Sequence, residues 1–168
     1  MILDASEAKK RIGQVFPFEQ SEKLPDLDYG GREIVLERPL HVAGEFFFNG
    51  KEFQVQGDAD TVLASVCARC GTEFPEPYSF HFEERFSRDG SDEDDEDPVY
   101  ACEGDMLPLE RAVMDNFYLN LPLISVCKPD CKGLCPVCGA NRNETECGCL
   151  QTETDHPFSV LKDLNIKE

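Results

Sequence analysis

The chain has 168 residues, nine of them cysteine and none tryptophan, and its 34 acidic against 16 basic side chains give a formal net charge of −18. That length suits one ordinary domain with a small appendage and excludes two large ones. A charge of this sign weighs against broad contact with phosphate backbones and suits basic protein partners better.

The opening stretch MILDASEAKKRIGQVF offers two apolar side chains before it turns charged, unlike the apolar core of a secretory signal. No later stretch approaches the roughly 18 uncharged apolar residues of a membrane span. The expected location is the cytoplasm, where cysteines spaced as most of these are favour thiolate–metal chemistry over disulfides.

Residues 1–38 are mixed, with an apolar stretch from Ile12 to Phe18, a turn at Asp28-Tyr29-Gly30-Gly31 and a strand predicted at Glu33 to Glu37. From Pro39 the pattern turns to β. LHVAGEFFF, then Asn49-Gly50, then KEFQVQG reads as a hairpin, and a third strand is predicted from Thr61 to Cys67. Beyond the turn Cys67-Ala68-Arg69-Cys70-Gly71, Tyr78, Phe80, Phe82 and Phe86 share one parity while Ser79, His81 and Glu83 hold the other, as in a half-buried strand. Residues 1–88 are therefore expected to form a β-rich sheet or small open barrel.

Asp89, Asp92, Glu93, Asp94, Asp95, Glu96 and Asp97 follow with no base between them, so residues 89–104 read as a solvated, flexible acidic loop. Residues 105–126 read as an amphipathic helix packing on the sheet, with Asp105 as N-cap, Pro108 in the first turn and Pro122 as the stop. Leu109, Val113 and Phe117 form its apolar stripe, flanked by Met106, Met114, Tyr118 and Leu121. A tail at 151–168 is expected to carry a short helix after Pro157 that docks Phe158, Leu161 and Leu164. The fold class expected is α+β: an antiparallel sheet or small open barrel with one or two helices and a C-terminal zinc-binding loop.

That loop is residues 127–150. The stretch CKPDCKGLCPVCGANRNETECGC holds Cys127, Cys131, Cys135, Cys138, Cys147 and Cys149, and it balances Lys128, Lys132 and Arg142 against Asp130, Glu144 and Glu146. Cys135-Pro136-Val137-Cys138-Gly139 has the shape of a zinc knuckle, two thiolates one tight turn apart with a glycine that lets backbone amides point at sulfur. A second pair must close the tetrahedron. Cys127 with Cys131 and Cys147 with Cys149 are both candidates by spacing, and Cys147 with one upstream cysteine is the preferred completion. One zinc held by four of these six is expected, because a segment with so few apolar residues needs a metal to fold. The spacings do not reproduce the common ferredoxin runs.

Cys67 and Cys70 form a separate C-x2-C at a strand end, readable as a zinc half-site, a redox pair or two packed thiols. A thioredoxin-like pair belongs at a helix N-terminus inside a βαβ unit, which the β-patterned surroundings do not supply. Cys102 reads as a lone thiol, and His41, His81 and His156 as satisfied or solvated histidines. The sequence has no glycine-rich phosphate loop, G-x-S-x-G elbow or His-Glu-x-x-His helix, so a non-enzymatic protein without a small-molecule substrate is expected.

Several of these stretches resemble the YceD family: the C-x-R-C turn at Cys67 to Cys70, then FHFEERF at 80–86, the acidic spacer, Asp105, and a helix ending in Asn120-Leu121-Pro122-Leu123. CKGLCPVCGANRN at 131–143 and HPFSVLKDL at 156–164 belong to the same resemblance, which runs from about Val35 to Leu164. The sequence departs from the family's usual L-C-x-R-C-L form in having Val66 and Gly71 on either side of the cysteines. The resemblance implies a non-enzymatic factor for large-subunit ribosomal RNA accumulation and ribosome assembly. Its partner would be a basic ribosomal protein, or ribosomal RNA met by a local patch of Arg69, Arg85, Lys128, Lys132 and Arg142. The competing reading is a thiol-redox or metal-dependent enzyme built on Cys67 and Cys70.

Seven carboxylates in nine residues repel one another and bury nothing, so amide exchange from Asp89 to Pro98 is expected to be nearly unprotected. Strong protection without a partner would reveal an ordered element in place of a spacer.

Overall fold

A computed structural model of the protein describes residues 1–90 and 99–149. In chain order these form β1 (Leu3–Asp4), α1 (Ser6–Lys10), β2 (Phe16–Glu22), β3 (Leu27–Tyr29), β4 (Arg32–Ile34), β5 (Leu40–Phe48), β6 (Phe53–Val66), β7 (Glu73–Ser87), β8 (Tyr100–Ala101), β9 (Met106–Leu107) and α2 (Leu109–Leu119). The centre of the acidic stretch, residues 91–98, and the tail expected to hold a short helix, from residue 150 onward, lie outside the described residues.

Among the described residues, one sheet runs in the order β2-β5-β6-β7-β8, antiparallel throughout except for the parallel step from β7 to β8. It is an open sheet, as the α+β reading anticipates. Its axis is the β6–β7 hairpin, paired from Phe53 opposite Phe86 to Val66 opposite Glu73. Along β6 every second residue from Phe53 to Ser65 is buried, and on β7 Tyr78, Phe80, Phe82 and Phe86 are buried on the same face. This is the period-2 pattern of a strand with one wet face.

Helix α2 covers the inner face. Leu109, Ala112, Val113 and Phe117 are buried, and the Phe117 ring meets Tyr78 edge-on at 5.2 Å between centroids. The Tyr78 hydroxyl donates to the Phe117 carbonyl at 2.6 Å, so the one polar atom carried into this apolar contact is satisfied. No helix among the described residues is long and apolar enough to cross a membrane.

The structure departs from the sequence reading in four places. KEFQVQG and Thr61 to Cys67 belong to a single strand, because Asp58 and Asp60 alternate outward while Gly57, Ala59 and Thr61 turn inward, so the acids never interrupt the ladder. The second helix starts at Leu109 and not at Asp105. Met106 and Leu107 instead pair with Asp4 and Leu3, and Asp105 accepts a bond from the Lys9 ammonium while its carbonyl accepts the Ala5 amide at 2.8 Å. It ends at Leu119, leaving residues 121–126 non-helical. Part of the 89–104 stretch is also built into the sheet: Tyr100 and Ala101 add to β7, and the Tyr100 ring lies 5.5 Å from Phe86.

The outer face of the sheet is polar. His41 bonds Asp60 at 3.0 Å and Glu19 at 3.1 Å, and His81 bonds Asp58 at 3.0 Å and Glu83 at 3.5 Å. Both histidines are thus satisfied on a strand surface. The hydrogen bond that the ring donates to Asp60, then the one it donates to Glu19, raises His41 above its ordinary value of 6.5 by favouring the charged ring. A raised folded pKa contributes stability that is fully present below the unfolded value and is lost as pH rises through the folded one. An NMR titration should therefore place His41 above 6.5, and Asp60→Asn should move it back toward that value; an unchanged midpoint would sink the assignment.

On the inner face Gly44 stands opposite Gly57, and a Cβ on Gly44 would lie 2.1 Å from the Gln56 carbonyl oxygen. The strands approach too closely there for any side chain. Gly44→Ala is expected to destabilise the fold by about 1–3 kcal/mol, the range of overpacked cores, read as a lower urea midpoint at unchanged slope.

Candidate metal centres

Two turns of identical local construction organise the cysteines. At the tip of the β6–β7 hairpin, the Cys67 amide donates to the Thr72 carbonyl at 2.9 Å and the Gly71 amide to the Cys67 carbonyl at 2.9 Å. In the C-terminal segment the Cys135 amide donates to the Ala140 carbonyl at 2.8 Å and the Gly139 amide to the Cys135 carbonyl at 2.9 Å. Both are C-x-x-C-G sequences, and their glycines sit at φ +69° and +74°, a region open to glycine and costly for side chains. Each turn therefore presents two sulfurs to the same side.

The second half of each set comes from a different place. Cys127 and Cys131, just beyond α2, meet Cys67 and Cys70, while Cys147 and Cys149 meet Cys135 and Cys138. Within each group the four sulfurs lie within 4.8 Å of one another, and each group can hold a metal ion. In the first group Cys67 to Cys131 and Cys70 to Cys127 are both 3.8 Å apart. Four sulfurs around one ion at a zinc–thiolate bond of about 2.3 Å stand about 3.8 Å apart at the edges of the tetrahedron, so the donor set fits. A disulfide, at about 2.05 Å, does not fit these separations.

One group, Cys135, Cys138, Cys147 and Cys149, is a four-thiol set from the six C-terminal cysteines, with the pair Cys147 and Cys149 that spacing had offered; the preferred completion, Cys147 with one upstream cysteine, is corrected. Cys147 pairs with Cys149 and not with an upstream thiol, and Cys127 with Cys131 completes the pair at the hairpin tip. The sequence reading missed the link because its partners are separated by 57 residues, from Cys70 to Cys127, and only the recurrence of C-x-x-C-G marks both turns. Eight cysteines are absorbed, and the ninth, Cys102, is buried in the main core, where desolvation raises its thiol above the ordinary value.

The electrostatics of both sets follow from crowding. The amide of Cys127, then those of Cys70 and Arg69, donate to the Cys67 sulfur and lower it to about 6. Cys135 is likewise lowered to about 6 by the amides of Cys138 and Val137. Desolvation pushes Cys131 up, and the Gly133 amide and the Asn143 side-chain amide, 3.3 Å from its sulfur, more than offset this. Cys127 goes the other way, pushed up to about 12 by desolvation and by bonds to its neighbour thiols, and Cys149 reaches about 12 through Cys138. Four thiols this close cannot all ionise unless a cation sits among them.

The hairpin tip also docks the segment that follows α2. The Ala68 amide donates to the Ser125 carbonyl at 2.9 Å and the Leu134 amide to the Arg69 carbonyl at 3.1 Å. The Arg69 guanidinium reaches the carbonyls of Pro129 and Cys131, each at 3.3 Å. Gly133 is required at this junction, since a Cβ there would lie 3.0 Å from the Arg69 carbonyl. Of the five basic residues singled out in the sequence, Arg69 is in this junction, Lys128 and Lys132 flank it in the chain, and Lys132 and Arg142 line one cleft with Cys135, Cys147 and Cys149. Arg85 is elsewhere: it lies 3.7 Å from the Glu52 carboxylate, twelve residues along β7 from Glu73, or about 40 Å of strand.

The family described as "Large ribosomal RNA subunit accumulation protein YceD" matches residues 55–165. An Arabidopsis thaliana protein named "Large ribosomal RNA subunit accumulation protein YCED homolog 1, chloroplastic" is 27% identical over 155 residues, covering 75% of this chain and 48% of that protein. An uncharacterized protein of Mycobacterium tuberculosis is 34% identical over 88 residues, 51% of this chain and 42% of the relative. An uncharacterized protein of Mycobacterium leprae is 23% identical over 167 residues, 96% of this chain and 72% of the relative. The chain thus spans about half the length of the first two of these curated relatives. No solved structure matches it.

Proposed function

The chain belongs to the YceD family, and on that premise we propose that it is a non-enzymatic cytoplasmic factor for large-subunit ribosomal RNA accumulation, acting in ribosome assembly. The observation that carries this reading is the match across residues 55–165, which includes the hairpin tip, α2 and the C-terminal cysteine segment together. In this reading the sheet and α2 are a scaffold, and the segment from Cys127 to Cys149 is a presenting surface made rigid by zinc at Cys135, Cys138, Cys147 and Cys149. Thiolate donors favour zinc among the common divalent ions, and four protein ligands close the site against substrate. The ion's contribution is to folding; no chemical step is assigned to it.

The partner is a component of the large subunit. Glu19, Asp58, Asp60 and Glu83 on the outer sheet face, together with the net charge of −18, favour a basic ribosomal protein over RNA. RNA would have to meet the local set Arg69, Lys128, Lys132 and Arg142, which the junction and its cleft bring near one another, without Arg85. The thiol-redox alternative loses its main support from the surroundings of Cys67 and Cys70. The pair lies between two antiparallel strands and faces two further thiols, and among the described residues no helix N-terminus adjoins it.

Deleting the protein is expected to lower large-subunit relative to small-subunit ribosomal RNA while leaving metabolism intact, measured by the ratio of the two RNAs on gradients under cold and fast growth. A normal ratio in a clean deletion would overturn the role. If a basic protein is the partner, the complex should weaken as salt rises, because exposed charges are screened beyond about 8 Å at physiological ionic strength. If RNA is the partner, charge reversal at Lys132 should weaken its retention more than reversal at Arg85.

A further inference from the structure

We infer that Cys67, Cys70, Cys127 and Cys131 hold a second structural zinc ion, which staples the tip of the β6–β7 hairpin to the chain beyond α2. The inference goes beyond the proposed role in ribosomal RNA accumulation and does not depend on it.

Three observations converge on this site. The turn at Cys67 to Gly71 has the same two backbone hydrogen bonds and the same left-handed glycine as the turn at Cys135 to Gly139, so the half-site is built as a knuckle whether or not its sequence surroundings look like one. Its partners, Cys127 and Cys131, approach across 57 and 64 residues to tetrahedral-edge separations of 3.8 Å. Polar donors surround these sulfurs: the Gly133 amide and the Asn143 side-chain amide serve Cys131, and the Asn143 Oδ1 accepts from the Lys132 backbone amide at 2.9 Å. Amides arranged this way stabilise thiolates and fix their orientation, the task of the groups that support a metal's ligands.

The alternatives account for less. Thiols that merely pack have no reason to converge four at a time from two distant chain segments or to collect amide donors. A cluster with one cysteine per iron would hold the sulfurs farther apart than a single ion does. A zinc ion with four thiolates carries a net charge of −2, and Arg69, Lys128 and Lys132 lie in or beside the ligand-bearing turns to offset it.

The site also answers a packing problem. Residues 121–126 leave α2 with Leu123 at 98% and Ile124 at 72% exposure, so apolar contact in this stretch is limited to the partly buried Leu121 and Val126 at its ends. The buried material at the junction is Cys67, Cys70 and Cys131, with Phe74, Val126 and Cys127 packed around them. Cys67 and Cys70 are presented in advance by the long β6–β7 ladder, so an ion bound there captures Cys127 and Cys131 and docks the whole C-terminal segment.

Elemental analysis of the full-length protein purified without added metal should give two zinc ions per chain. With Cys67→Ser and Cys70→Ser together, one should remain, and the Ala68 amide, bonded to Ser125 across the junction, should lose its exchange protection. With Cys135→Ser and Cys138→Ser together, one should again remain while the Ala68 amide stays protected. Should either variant fail to fold, cobalt titration of the zinc-stripped wild-type chain decides: the thiolate charge-transfer band should grow to two equivalents. A plateau at one equivalent, one zinc per wild-type chain, iron in place of zinc, or a Cys67/Cys70 variant that keeps two ions would overturn the inference.

Discussion

The β6–β7 hairpin is the constraint on which the rest depends. Its ladder runs without a break from Phe53 opposite Phe86 to Val66 opposite Glu73, and both strands alternate so that one face is apolar over its whole length. A register slip of one residue would turn Phe80, Phe82 and Phe86 to water, so the buried face holds the register. The same register places Cys67 and Cys70 in the connecting turn at one end. The scaffold and the first half-site are therefore consequences of one pairing, and α2 lies on the inner face of the strand that leaves the turn.

Beyond α2 the means of stabilisation changes. From Cys127 to Cys149 the buried residues are Cys131, Gly133 and Cys135, so the segment has no apolar core of its own. Sulfur convergence takes that place. One quartet is local, spanning Cys135 to Cys149, and would order the segment; the other joins chain positions 57 and more residues apart and would order the segment relative to the sheet. Hydrogen bonds from Ala68 and Leu134 alone are weak ties, each worth about 1 kcal/mol net, against a metal site worth roughly ten times that.

Charge is distributed in the same spirit. Acids on the outer sheet face are paired with His41 and His81, and the acid-rich run from Asp89 to Asp97, which holds no base, is separated in sequence from the cysteine segment, whose own charges balance. A net charge of −18 therefore describes the chain as a whole and not the surroundings of the two cysteine quartets, where Arg69, Lys132 and Arg142 lie around the thiols. The two ends of the molecule offer different surfaces to a partner.

Local chemistry sufficed for much of this. The parity of Tyr78, Phe80, Phe82 and Phe86, the stripe Leu109, Val113 and Phe117, and the knuckle at Cys135 were readable because period, capping and turn chemistry act within a few residues. The family, too, was legible in short motifs. The single strand from Phe53 to Val66 was harder, since Gly57-Asp58-Ala59-Asp60 looks like a turn until the sheet gives its acids an outer face. The start of α2 was lost for a similar reason: Met106 and Leu107 prefer a strand partner that comes from the first residues of the chain. Which cysteines gather into each candidate metal centre was settled by tertiary structure. Spacing ranks ligands that are near in sequence, whereas Cys127 and Cys131 choose Cys67 and Cys70 because the hairpin tip and the exit from α2 arrive at the same point in space.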